Sequence, residues 1–273
     1  MRVVLTLARK EVRDAVRGRW LVAFAATFAA IAAGLAVVEA RTGDLGSQGF
    51  NQTSAGLINL CLLLVPLLSL VLGTGAVAGE RERGTLRSLM AQPISVAELL
   101  IGKWVGLVVA VWSAIVLGFG SAGALLVIVQ PRTDLRQLAL FIALSAALGA
   151  STLSLGMLLS VFSDGRVKAL AGAIVLWFVL VLLYDLAAIG LALSISSSGR
   201  TLLAVALGNP VEAVRLLAVL SLEPDLQVLG PLGAYVIEEV GVVSGAVLLA
   251  ASVVAWMILP LLGAIVSLSG QDE

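Results

Sequence analysis

Residues 57–78 read LINLCLLLVPLLSLVLGTGAVA and residues 79–83 read GERER. The first stretch has no charge over 22 residues; the second has four charges in five. A helix needs about 20 residues to cross a hydrocarbon core of roughly 30 Å, so the apolar stretch can span a bilayer and the charged one marks its exit. The same alternation recurs along the chain. Apolar runs lie near 20–38, 104–129, 138–162, 169–193 and 241–267, separated by charged connectors. The chain is 60% hydrophobic and only 12% charged over 273 residues, more apolar surface than a soluble domain could cover. The pattern predicts an all-α integral membrane protein with six transmembrane helices in one domain (1–273) and the lipid bilayer as its solvent.

Lys and Arg set the orientation. Residues before the first run, the connector between the second and third, and that between the fourth and fifth hold 12 of the 17 basic residues, including Arg9, Lys10, Arg81, Arg83, Lys103 and Lys168. The other side holds Arg41, Arg132, Arg136, Arg200 and Arg215. The positive-inside rule then places both termini in the cytoplasm. The first apolar run begins only at Trp20 and no small-residue cleavage site follows closely, so the N-terminus does not read as a cleavable signal. Formal net charge is zero, and no nucleic-acid partner is expected.

Missing residue types exclude several chemistries. There is no His and one Cys, Cys61. Zinc-dependent intramembrane proteolysis and a Ser–His dyad both need His. Copper(I) conduction needs a ladder of soft ligands, whereas Cys61, Met90, Met157 and Met257 sit in four different segments. No metal site and no catalytic residue is expected. A phosphate-binding loop is also missing: Gly102-Lys103 is followed by Trp104, and Ala97 stands where its first Gly should be. ATP-driven work would therefore need a second chain. Leu268-Ser269-Gly270-Gln271 looks like a fragment of an ATP-cassette signature, but it ends a membrane span and is read as coincidence.

The connectors carry the local signals. Residues 1–19 place Val4, Leu5, Ala8, Val12, Ala15 and Val16 at helical spacing among basic residues, predicting an interfacial helix. It could be a topology anchor or an elbow that passes movement into the first span. In 79–103, Leu86, Leu89 and Met90 form a short apolar face, Pro93 closes that helix, and Ser95 with Glu98 matches a capping box. The expectation is two short helices joined by a proline turn, against the plainer reading of a solvated loop. In the external region 194–240, Asn209-Pro210 predicts a helix start, and Pro231 a second short helix ending near Glu238 and Glu239. Leu216, Leu217, Val219 and Leu220 suggest contact with the bilayer or another subunit.

Asp185 is the one carboxylate well inside an apolar run. Such a charge costs roughly 2.5–3.5 kcal/mol near the bilayer centre, so it calls for a partner or a water path. The candidates are an interfacial position, a cavity lining, or a pair with Arg200 or Arg215. Tyr184-Asp185 also looks like half of an intramembrane aspartyl protease site, but the Gly-x-Gly-Asp partner motif is missing. Small residues cluster at Gly118, Gly120, Gly123 and Ala124, and at Ala146, Gly149, Ala150, Ser151, Ser154 and Gly156; they suit packing within the bundle or a dimer interface.

The stretch 79–103 resembles the cytoplasmic loop of ABC-2 type permeases, with its G-E-x-E/R-x-G-T-L-x-x-L-x-x-x-P-[IV]-S start and its L-x-G-K end. Residues 7–20 look like the entry sequence of that family. Tyr184-Asp185-Leu186 and 209–216 are similar to the subgroup serving maturation of nitrous oxide reductase. Here the acidic coupling segment of related chains is balanced by Arg81 and Arg83. The resemblance implies a type V exporter-like permease of the bacterial inner membrane, working as a homodimer with two ATPase subunits. Those subunits would bind ATP and Mg; this chain would bind no cofactor. The resemblance assigns coupling to Glu80, Arg81, Glu82, Arg83, Thr85, Leu86, Leu89, Pro93, Ser95 and Glu98. It assigns the elbow to Arg9, Lys10 and Glu11, and the cavity or gate to Tyr184, Asp185, Asn209, Pro210, Glu212 and Arg215. The subgroup implies copper-site assembly in denitrification, beside a periplasmic copper-handling subunit. Export of an unrelated lipid, drug or peptide is the alternative, and a self-contained secondary transporter a second.

Overall fold

In the computed structural model every described element is a helix. The structure describes residues 2–17, scattered positions between 22 and 34, 49–129, 135–187, 190, 199–222 and 230–271. Helix α1 (Arg2–Arg17) precedes α2 (Gly49–Thr74). Short helices α3 (Ala78–Glu82) and α4 (Thr85–Met90) lead to α5 (Val96–Val129) and α6 (Leu135–Phe162). Helix α7 (Arg166–Phe178) runs on through a π-helical turn (Val179–Leu183). Helices α8 (Gly199–Leu207), α9 (Pro210–Leu222) and α10 (Gly230–Tyr235) follow, then a second π-helical turn (Val236–Val240) and α11 (Val242–Ser269).

Among the described residues, five stretches are long and apolar enough to cross a membrane: Asn59–Glu82, Val96–Ser121, Leu138–Phe162, Arg166–Ala187 and Val242–Ser269. They match five of the six runs expected from sequence; the first run, 20–38, lies largely outside the described residues. The outer faces are apolar, with Val167, Val243 and Val266 each more than 70% exposed, as a lipid-facing surface requires. Helix α6 is central and packs against α2, α5, α9 and α11. One core cluster contains Cys61, Val65, Phe119, Phe141 and Leu249; a second contains Val77, Leu86, Leu100, Met157 and Leu268. The small-residue stripe at 149–156 is packing within the chain. A Cβ on Gly73 would lie 2.6 Å from the Leu153 carbonyl oxygen, and one on Gly156 2.6 Å from that of Leu70. Helices α2 and α6 therefore cross backbone to backbone.

Just beyond this crossing α2 breaks before α3, and Ser160 of α6 holds the break. Its buried hydroxyl accepts the Val77 and Ala78 amides at 3.0 and 2.8 Å and donates to the Thr74 carbonyl at 2.7 Å.

In the region 194–240 the described part forms α8, α9, α10 and the second π-helical turn; helices start at Pro210 and at Gly230, beside the expected Pro231, and the chain turns through 120° between α8 and α9. Val211, Val214, Leu216 and Leu217 are buried against the chain's own spans, in the cluster with Cys61 and Phe141. Leu216 and Leu217 are thus not free to meet lipid or another subunit. The turn is pinned from α11: the Leu207 carbonyl accepts from the Ser252 hydroxyl at 2.8 Å and from the Trp256 indole at 3.2 Å. Asn209 caps α9 with its Oδ1 on the Val211 amide at 2.9 Å.

Candidate functional site

The loop from Gly79 to Lys103 is built from opposed side-chain directions. Glu80 points inward, where Oε1 lies 2.9 Å from the Lys103 Nζ and 3.5 Å from the Lys10 Nζ. Thr85 donates to the other Glu80 oxygen at 2.6 Å. Lys103 also meets Glu11 of α1 at 2.9 Å. The side chains of Lys103 and Glu80 are 3% and 6% exposed, so the cluster is shielded from screening water. Helix α1 reaches this position because Gly106 lets it lie on α5: a Cβ there would be 2.6 Å from the Ala8 carbonyl oxygen.

The next two residues turn elsewhere. Arg81 donates to the carbonyls of Val161 and Ser163 at 3.1 and 2.6 Å and to the Gln271 side chain at 2.7 Å. Glu82 accepts the Arg166 amide at 2.7 Å, at the start of α7. Three consecutive side chains thus tie the loop to α1 and α5, to the end of α6 and residue 271, and to α7. The N-terminal helix, the loop, the α6–α7 turn and the end of α11 all meet at one end of the bundle.

Beyond Glu82 the loop faces outward. Gly84 (φ +71°) takes the left-handed conformation between α3 and α4, after which Arg87, Ser88, Ala91, Gln92 and Pro93 are exposed, as is Arg83 before it. Leu89 is half-buried. Ser95 and Glu98 form the reciprocal capping box: the Glu98 amide donates to the Ser95 hydroxyl, and the Ser95 amide to the Glu98 carboxylate, both at 3.1 Å. No separate helix follows the proline turn; α5 runs unbroken from Val96 into the span.

Two of the residues to which the resemblance assigns coupling turn inward. Glu80 is engaged inward by its ion pairs. Leu86 is 8% exposed and packs in the core with Leu100 and Met157. Of the elbow residues, Arg9 and Lys10 are exposed and Glu11 turns in to Lys103.

In the sequence Lys103 reads as a topology signal and as the end of the L-x-G-K motif, without its ion partners. A signal was present: Lys103 lies four residues from both Leu99 and Leu107, which are buried, so it shares the inward face of α5. A lysine in that register requires a carboxylate partner. Ser160, Gln271 and the Arg166 amide carried no such signal.

At the other end of the bundle, Tyr184, Asp185, Asn209, Glu212 and Arg215 come together. Asp185 pairs with Arg215, not Arg200: both guanidinium Nη atoms lie 2.9 Å from its oxygens. Glu212 holds the same guanidinium at 3.1 Å. Tyr184 donates to the Val205 carbonyl. The Asn209 amide donates at 2.7 Å to the carbonyl of Leu180, within the π-helical turn, where the usual backbone pairing is shifted. Pro210 is buried in the first turn of α9. This cluster fixes the bent α8–α9 pair against α7.

Replacing Arg215 by leucine would leave two carboxylates without a cation. Removing one partner of a fully buried pair costs roughly 3–5 kcal/mol; with Asp185 and Arg215 33% and 28% exposed, about 2 kcal/mol is expected here. The Asp185→Leu, Arg215→Leu double variant should recover much of this in thermal unfolding in detergent, and a double variant no more stable than Arg215→Leu would count against the pairing.

Residues 5–272 match the sequence profile described as ABC-2 family transporter protein, and the chain belongs to that family. It is a multi-pass ABC transporter permease of the bacterial inner membrane, a class that works with an ATPase partner. Among its relatives is a probable ABC transporter permease protein NosY of Pseudomonas aeruginosa, 36% identical over 226 residues, spanning 80% of this chain and 82% of the relative. A protein of the same description from Stutzerimonas stutzeri is 33% identical over 241 residues, 85% of this chain and 87% of the relative.

Proposed function

We propose that this chain is the non-catalytic, membrane-spanning half of an ATP-driven machine that serves copper-site assembly of nitrous oxide reductase. Two copies form a homodimer with two ATPase subunits, and ATP and Mg are bound by those subunits. Both termini face the cytoplasm with the basic end of the bundle. The observation that carries the reading is the exposed set of Arg83, Arg87, Ser88, Gln92 and Pro93, projecting from a loop whose inward side chains are tied to four helices. Such a strip can receive force from the ATPase and pass it into the spans, and its Arg83 and Arg87 fit an acidic groove on that partner.

The subgroup reading rests on the two NosY relatives. The scarcity of Cys and Met, with no His at all, favours a sulfur species, or force delivered to a periplasmic copper-handling subunit, over bare copper as the transported quantity. Gentle purification from the native membrane followed by mass spectrometry tests both levels. An ATPase together with a periplasmic copper-handling protein supports the whole reading; an ATPase alone keeps the permease and drops the reductase role; neither overturns it.

The docking face has its own test. An Arg83→Glu, Arg87→Glu variant should still insert but lose about tenfold or more in ATPase affinity, because like charges juxtaposed across an interface cost several kcal/mol. Undiminished capture of the ATPase by this variant would remove the strip from the interface.

A further inference from the structure

We propose that Lys103 is the positioning residue of coupling: its buried ammonium clamps Glu11 of α1 and Glu80 of α3, so that the N-terminal helix and the loop move as one body. The proposal rests on the coupling reading above. Helix α1 packs on α5, while α3 packs on α4 and α7. An ion cluster bridges α1 and α3, with Lys103 at 2.9 Å from each carboxylate and Lys10 closing its outer side at 3.5 Å. Thr85 donates to the remaining Glu80 oxygen at 2.6 Å and fixes its orientation. The cluster holds two carboxylates and two ammoniums and is locally neutral. Buried ion clusters add little net stability compared with apolar packing, but they select one register, which is what a transmission joint needs. Without Lys103, movement of the loop would be spent in sliding α3 past α1.

Spin labels at Asp14 and at Glu82, the last residue of α3, both exposed and outside the docking strip, on a Cys61→Ser background can report the α1–α3 distance. The measurement is made on the complex with its ATPase in nanodiscs, nucleotide-free and ATP-trapped. With labelled chain diluted into unlabelled chain so that each complex carries one labelled copy, the wild-type background should give one narrow distance, identical in both states. Lys103→Met should lose that single peak to a broad distribution. Because Lys103→Met leaves Glu11 without its cation and Glu80 with Lys10 alone at 3.5 Å, a Glu11→Gln, Glu80→Gln, Lys103→Met variant is measured beside it; the charge it frees is the half-exposed Lys10 ammonium, which water can solvate, and it should insert normally yet show the same broadening. A single narrow distance in that triple variant overturns the proposal, and so does a background distance that shifts with nucleotide. The same measurement on the chain without its ATPase tests the clamp alone, whereas ATPase capture tests the coupling reading, so the failure of one is told apart from failure of the other.

Discussion

Gly156→Val should cost the bundle about 4 kcal/mol and release most of the chain as aggregate on extraction, an effect at the severe end for overpacking. The atoms a Cβ would meet are the Leu70 carbonyl oxygen at 2.6 Å, the Leu70 Cα at 3.0 Å and the Gly73 Cα at 3.2 Å. All three are backbone, so no change of rotamer relieves the clash. Helix α2 must withdraw from α6, and the Ser160 hydroxyl, one turn further along α6, then leaves the break it caps. Size-exclusion profiles and thermal unfolding in detergent measure the loss. A Gly156→Val chain that elutes and melts like the wild type would mean that this crossing opens without penalty.

Ser160→Ala should follow, at about 3 kcal/mol. One hydroxyl serves two amides and one carbonyl at 2.7–3.0 Å, all shielded from solvent. Each buried polar group left without a partner costs about 1–3 kcal/mol, and three groups lose theirs, with some recovery as the α2–α3 break relaxes. Gly156→Val disturbs the whole crossing, whereas Ser160→Ala acts on the joint between span and loop. The chain should therefore still insert but melt earlier, with faster hydrogen exchange at Val77 and Ala78 than elsewhere in α2 and α3. Unchanged exchange at these two amides would show that they find another acceptor.

The spans were legible because hydrophobicity acts along a single helix and needs no partner to be read. The capping box of Ser95 and Glu98 and the Asn209 cap were legible for a related reason: donor and acceptor lie within one turn. The docking face was legible only in part. Composition marks 79–103 as structured, but not that Glu80 and Leu86 turn inward while Arg83 and Arg87 stay exposed. For Asp185 the sequence narrowed the cation to Arg200 or Arg215, and the turn between α8 and α9 selected Arg215.

The sequence by itself determined that this is a polytopic helical membrane protein, where most of its helices lie and which end is basic. These properties sum over contiguous residues. The tertiary structure decided the partners of its buried polar groups. Lys103 finds carboxylates 92 and 23 residues away, and Ser160 finds a broken helix more than 80 residues earlier in the chain. Such pairs exist only where two helices cross, and the crossing is set by Gly73 meeting Gly156 and Gly106 admitting α1. Backbone proximity between distant segments has no signature in local composition, so the joint that links α1 to the loop had to be seen folded.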